Sequence, residues 1–109
     1  MDNIETSYQA CLDQGKDMLG CSVRYYNQMD SMLNLVYRRL RRQQTSGQAA
    51  KLKSEQLNWL SKRDKYFSTI ILNSDEEALS KEDREMVVID KRAQFVRDRV
   101  LELIKKLRT

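Results

Sequence analysis

The sequence predicts an all-α fold, an antiparallel bundle of three to four helices built on a long central helical hairpin. Three observations carry that expectation. The 109 residues include no proline, three glycines and 33% charged residues, a composition that suits helices better than sheet or disorder. Apolar residues recur at helical spacing along most of the chain, as a small bundle requires. Two triplets also answer each other across a turn. Asp30, Asn34 and Tyr37 sit at i, i+4 and i+7, and Gln56, Trp59 and Arg63 sit at i, i+3 and i+7, so each triplet shares one helix face. Folding the chain about Ser46-Gly47 sets Asp30 against Arg63, Asn34 against Trp59 and Tyr37 against Gln56. The position numbers of every pair add to 93, so one register serves all three.

The elements follow in order. A first helix is expected over about residues 4–18, with Ile4, Tyr8, Cys11 and Leu12 on one side and Leu19-Gly20 ending it, because a terminal glycine tolerates the left-handed conformation. A second helix, about 22–44, carries the stripe Val23, Tyr26, Met29, Leu33, Val36 and Leu40. Thr45 to Gln48 is the expected turn. A third helix, about 49–72, carries Leu52, Trp59, Tyr66 and Ile70; it and the second should each be about 35 Å long at 1.5 Å per residue. Two hydroxyl-to-acid signals, Ser74 to Glu77 and Ser80 to Asp83, predict a helical turn at 75–79 and a last helix over about 81–107. In that last helix Met86, Ile89, Ala93, Val96, Val100, Leu103 and Leu107 form a heptad seam. Such a seam either packs on the hairpin or pairs with a second copy.

The triplets have a physical reading as a polar seam. Asp30 and Arg63 can form a charge-assisted pair, Tyr37 and Gln56 can share a hydrogen bond, and Asn34 can accept from the indole of Trp59. Such groups fix register when each is satisfied and are costly when one is not. As a buried pair, Asp30–Arg63 would lose about 3–5 kcal/mol on Arg63→Ala. In this reading the six residues are scaffold.

The same residues carry a resemblance. Cys21, then Asp30, Leu33-Asn34 and Tyr37, then Leu52, Gln56, Trp59 and Arg63-Asp64, resemble the pattern of the LprI-type lysozyme-inhibitor N-terminal domain family. The resemblance covers residues 11–67 and extends weakly from Lys91-Arg92 to Leu103. It implies a small helical protein of the bacterial envelope, of a kind that in some cases inhibits lysozyme. Relatives carry further cysteines, one just after the Arg-Asp pair and one near the C-terminal helix. Here Phe67 takes the first place and no cysteine follows Cys21, which leaves one bridge at most, Cys11 to Cys21.

An oxidised Cys11–Cys21 pair belongs to a periplasm or the extracellular space, whereas two buried thiols would suit the cytosol. Met1 to Glu5 has neither the basic start nor the apolar stretch of a signal peptide. A mature segment behind a new Met1 would look like this, as would a cytosolic protein; the resemblance favours a periplasmic or secreted one. No apolar run approaches a membrane span in length.

Charge narrows the partners. The net +4 is segregated along the chain. Residues 1–37 hold five acids and two bases, 38–73 two and nine, 74–90 seven and two, and 91–109 two and seven. Arg38, Arg39, Arg41 and Arg42 complement a helix C-terminus or form a patch for an anionic polymer; without interleaved aromatics they make nucleic acid a weak expectation. Asp75, Glu76, Glu77, Glu82, Asp83 and Glu85 form the one dense acidic segment, which serves as helix N-terminal charge or as a contact surface for a cationic protein such as a lysozyme. An inhibitor of a basic enzyme is expected to be acidic, so a net basic chain would have to dock through this segment.

An enzyme is the least favoured class, and no cofactor or metal site is expected. The chain has no histidine, no glycine-rich phosphate loop and no nucleophile motif. The expectation is therefore a non-enzymatic, protein-binding domain spanning 1–109. Its partner by resemblance is lysozyme or another cell-wall hydrolase. The alternatives are a homodimeric adaptor or an anionic-polymer binder acting through Arg38–Arg42.

Overall fold

The computed structural model describes residues 2–107. It contains α1 (Asp2–Asp13), α2 (Met18–Arg42), α3 (Ser46–Ser68), the single turn α4 (Ser74–Glu77) and α5 (Lys81–Lys106). Among the described residues there is no strand, and the fold is an all-α bundle.

Capping chemistry sets most helix boundaries. α1 ends about five residues earlier than expected because the chain breaks at Gly15, whose φ of 65° needs a residue without a Cβ. Asp17 then caps α2, its carboxylate accepting the Gly20 N–H at 3.0 Å. Gly20, expected as a helix end, lies inside the first turn of α2, where a Cβ would collide with that carboxylate. Thr45 to Gln48, expected as a turn, opens α3 instead: Thr45 Oγ1 accepts from Gln48 N, and Gln48 Oε1 accepts from Thr45 N, closing a capping box. Asn73 and Glu76 form a second box that starts α4, and Ser80 caps α5.

The tightest packing is α2 against α5. From α2 the core takes Cys21, Tyr25, Met29, Leu33, Val36 and Leu40; from α5 it takes Ala93, Val96, Val100 and Leu103. Smaller α5 residues sit among larger α2 residues in one cluster, which allows close helix approach. The α2 stripe is rotated from expectation. Tyr25 is buried while Val23 points outward, because Cys21, bonded to Cys11, turns the first α2 face toward α1. Four of the seven heptad residues of α5 are fully buried in this core, so they are consumed inside the bundle.

α1 lies antiparallel along the start of α2. The Cys11–Cys21 disulfide ties the two, with Cα atoms 5.8 Å apart, and the Tyr8 ring stacks on Tyr25 at 4.3 Å. The Tyr8 hydroxyl donates to Asp90 on α5 at 2.9 Å and lies 3.2 Å from Ser22 Oγ. Glu5 pairs with Arg97.

α3 runs antiparallel to both long helices but is packed less deeply, with only Leu52 and Gln56 buried. It leans on α5 through an aromatic cluster in which Phe95 stacks on Trp59 at 5.6 Å and on Tyr66 at 4.8 Å. Phe67 contacts Phe95 and reaches α2 at Tyr26, 6.1 Å away, in the register whose numbers add to 93. Arg92 lies 5.2 Å above the Phe67 ring. Since α1 and α3 each run against α2, and α5 against α3, α2 and α5 point the same way. Their basic C-termini, with Arg38, Arg39, Arg41, Arg42, Lys105 and Lys106, therefore share one end of the bundle. The N-terminus of α5 and α4 occupy the other, along a molecule 49 Å in its longest dimension.

Candidate functional site

Two regions gather the residues singled out from the sequence. The first is the acidic end. α4 is held by its own capping box and by Lys91 of α5, whose Nζ donates to Glu76 Oε1 at 3.0 Å and to the Ile71 carbonyl at 3.4 Å. The hydrogen bond from Asn73 N, and then the Lys91 ammonium, hold the Glu76 carboxyl below the usual carboxylate range. Glu76 is thus tied into the local structure. Asp75, Glu77, Glu82, Asp83 and Glu85 are exposed and form no ion pair among the described residues. Beside them Ile71 is 83% exposed and Leu79 39% exposed, the former in the segment after α3 and the latter between α4 and α5. Glu85 also borders a groove of about 480 Å³ along α5, with Val88 and Ile89 as its apolar part and Lys81, Arg84 and Arg92 as its cationic lining. This end thus carries exposed apolar side chains and carboxylates without ion pairs, with the exposed cations Lys81 and Arg84 in the same segment.

The second region lies between α2 and α3. Asp30, Asn34, Tyr37, Gln56 and Arg63 line one cavity of about 350 Å³, together with Leu33, Lys53, Leu57 and Leu60. Their hydrogen bonds run elsewhere than the register suggested. Arg63 donates to its neighbour Asp64 at 3.0 and 3.2 Å and lies over the Trp59 and Phe67 rings. The Arg63 side chain is 26% exposed, and Asp64 is more so. Trp59 faces Phe95 on the other side of α3. Gln56 Oε1 accepts from Arg99 Nε at 3.0 Å. The reason is geometric: α3 sits closer to α5 than to α2, so its polar side chains find partners on α5 or on α3 itself.

Arg99 was not anticipated, although it lies three residues beyond Val96 and so beside the buried stripe. It is 6% exposed, donates also to Glu102 at 3.0 Å, and leaves Nη2 without a partner. Tyr8, Ser22 and Asp90 were likewise missed, because their meeting depends on three helices. The arginines at 38, 39, 41 and 42 lie on the exposed end of α2, with Arg41 5.9 Å from the Tyr37 ring. Among the described residues no group of histidine, cysteine and carboxylate side chains is arranged to hold a metal. No helix of the described residues is long and apolar enough to cross a membrane.

Comparison with curated proteins and with solved structures gives no significant match. A family described as "Lysozyme inhibitor LprI" matches residues 9–103, which include the disulfide, both polar triplets, the acidic corner and most of α5. That span is nearly the whole of the chain, and by it this protein belongs to the lysozyme inhibitor LprI family.

Proposed function

We propose that this protein is a non-enzymatic binding module of the bacterial envelope that inhibits a cationic cell-wall hydrolase of the lysozyme class, docking through its acidic end. Membership in the family supports the inhibitor reading. The observation that carries the choice of surface is that five exposed carboxylates without ion pairs among the described residues share this end of the chain's fold with exposed Ile71 and Leu79. Carboxylates at a rim steer and align a basic partner, and an apolar anchor among them supplies burial. The mechanism is steric: Ile71 and α4 occupy the rim of the substrate cleft, while Asp75, Glu77, Glu82 and Asp83 pair with basic groups around it. The Cys11–Cys21 disulfide fits a periplasmic or secreted location.

The test is residual lysozyme activity against inhibitor concentration at low and high salt. Neutralising Asp75, Glu77, Glu82 and Asp83 together should weaken inhibition and remove its salt sensitivity, with helical content unchanged. Replacing Arg38, Arg39, Arg41 and Arg42 by glutamine should leave inhibition intact or improve it. No inhibition by the wild type at tenfold molar excess, or loss only in the arginine variant, would overturn the reading.

A further inference from the structure

The basic end of the bundle concentrates cations that the fold itself does not use. Residues 38–54 hold six bases and no acid, and no acid follows Glu102 in α5. Because α2 and α5 point the same way, Arg38, Arg39, Arg41 and Arg42 end one helix at the same level as Lys105 and Lys106 end the other, and Lys51 lies near the start of α3. The neighbouring carboxylates are taken: Glu55 pairs with Lys106, and Glu102 with Arg99. The four arginines are exposed and form no ion pair among the described residues; Arg41 has its approach to the Tyr37 ring. Arg38, Arg41 and Arg42, at i, i+3 and i+4, share one face of α2 and line a concavity of about 360 Å³. Complementing the α2 macrodipole does not account for this set. That effect fades beyond the last turn, whereas Arg38 stands one turn back, and like charges four residues apart destabilise a helix.

We propose that this end docks on a membrane surface carrying anionic phospholipids, so that the molecule stands end-on with its acidic end outward. Guanidinium groups bind phosphate oxygens through paired N–H donors, and three of them around one concavity suit a headgroup phosphate. Cations from the ends of three helices can meet a plane at once, and each adds roughly fivefold to binding on an anionic leaflet. A free phosphate would occupy the one concavity and leave the other cations unused. Segregation of charge permits the pose. Glu82 and Lys105, at opposite ends of α5, are about 35 Å apart at 1.5 Å per residue, about four Debye lengths at physiological salt. The carboxylates of residues 75–85 are therefore screened from the anionic plane while the arginines sit against it. Nucleic acid shares the phosphate chemistry, but the Cys11–Cys21 disulfide fits an oxidising compartment and no aromatic residue is interleaved among the four arginines for base stacking. The surface is separate from the acidic end and stands whether or not lysozyme is inhibited.

The experiment is cosedimentation of the full-length, disulfide-bonded protein with phosphatidylcholine vesicles, pure or containing about 30% phosphatidylglycerol. Binding to the anionic vesicles should be at least about tenfold tighter than to the neutral ones at about 50 mM salt and lost at about 500 mM. Replacing Arg38, Arg39, Arg41 and Arg42 by glutamine should weaken it at least about twentyfold with helical content unchanged. Replacing the exposed Lys16, Lys62, Lys65 and Lys81 by glutamine lowers the net charge equally and should cost less than about threefold. A paramagnetic headgroup lipid should broaden the amide NMR signals of residues 38–42 and 105–106 and spare those of 75–85. Equal binding to neutral vesicles, an equal loss in the two variants, or broadening centred on residues 75–85 would each overturn the proposal. So would displacement by inorganic phosphate beyond that by chloride at equal ionic strength, which marks a site for a single phosphate. Tighter binding to a single-stranded oligonucleotide than to the vesicles, at equal phosphate concentration, would assign the end to nucleic acid and overturn it too.

Discussion

The Arg99–Gln56 contact is the sharpest test of how α3 is held. Arg99 is a buried cation with two hydrogen bonds, one to the buried neutral Gln56 and one to Glu102, whose side chain is 61% exposed. Gln56→Leu keeps the side-chain volume but removes the acceptor from a desolvated guanidinium whose Nη2 already lacks a partner. A hydrogen bond to a charged group contributes roughly 1.5–3 kcal/mol, so a loss of about 2–3 kcal/mol is expected. Arg99→Met removes the charge and leaves only a neutral carbonyl unpaired. Relief of guanidinium desolvation offsets part of that cost, leaving about 1 kcal/mol. The double variant removes both problems and should return to within about 1 kcal/mol of the wild type, a coupling of about 2 kcal/mol or more. Urea unfolding followed by far-UV circular dichroism reads this directly. With a slope of about 1–1.5 kcal/mol per molar, Gln56→Leu should lower the midpoint by roughly 2 M. Two single-variant losses that simply add in the double variant would refute the reasoning, as would a Gln56→Leu midpoint equal to that of the wild type.

Other outcomes follow from the same geometry. Arg63→Ala should cost only about 1 kcal/mol by chemical denaturation, since its ion pair with Asp64 is exposed and only the ring contacts are lost; 3 kcal/mol or more would mean that a buried pair with Asp30 forms in solution. Replacing Cys11 and Cys21 by serine should cost about 2–3 kcal/mol, the chain-entropy value for a loop of about ten residues, and thiol titration of the unreduced, unfolded wild type should find no free thiol. Burial raises the phenol pKa of Tyr8, Tyr25 and Tyr26. The folded state then keeps protons that the unfolded chain releases, so the contribution is complete below about pH 10, the unfolded value, and is lost as pH rises through the raised folded values. Melting temperature should fall between pH 9 and 11, and less steeply in Tyr8→Phe; a flat profile would contradict the burial of these hydroxyls.

Much of the fold was legible in local chemistry. The absence of proline, the apolar period and the capping signals at Ser80 and near Ser74 are contained within a few turns of chain, and α4 and α5 lie close to where they place them. The heptad spacing of α5 likewise pointed to the face that is buried. Gly15 was missed as the break because a left-handed residue and an aspartate cap two positions later compete with the equally plausible Gly20. The register of α3 against α2 was readable from spacing, and it brings five of the six seam residues to one cavity. Which atoms bond was not, because periodicity gives a residue's azimuth on its own helix and says nothing of how far away the next helix stands.

That distance is what the tertiary structure decided. α3 carries too few large apolar residues to bury itself against α2, while α5 offers Phe95 to Trp59 and Tyr66 and a guanidinium to Gln56. The bundle is therefore densest between α2 and α5, which are far apart in sequence, and the α2–α3 interface opens into a cavity. The residue pattern by itself determined which side chains are apolar, which helices form and where charge accumulates. Only the packing of helices distant in sequence determined that Glu76 and Arg99 are tied down, and that Asp30, Asn34 and the other carboxylates of residues 75–85 have no hydrogen-bond or ion-pair partner for their side chains among the described residues. Hydrophobic burial is non-directional and sets the helix separations, and those separations then select which polar groups can reach one another.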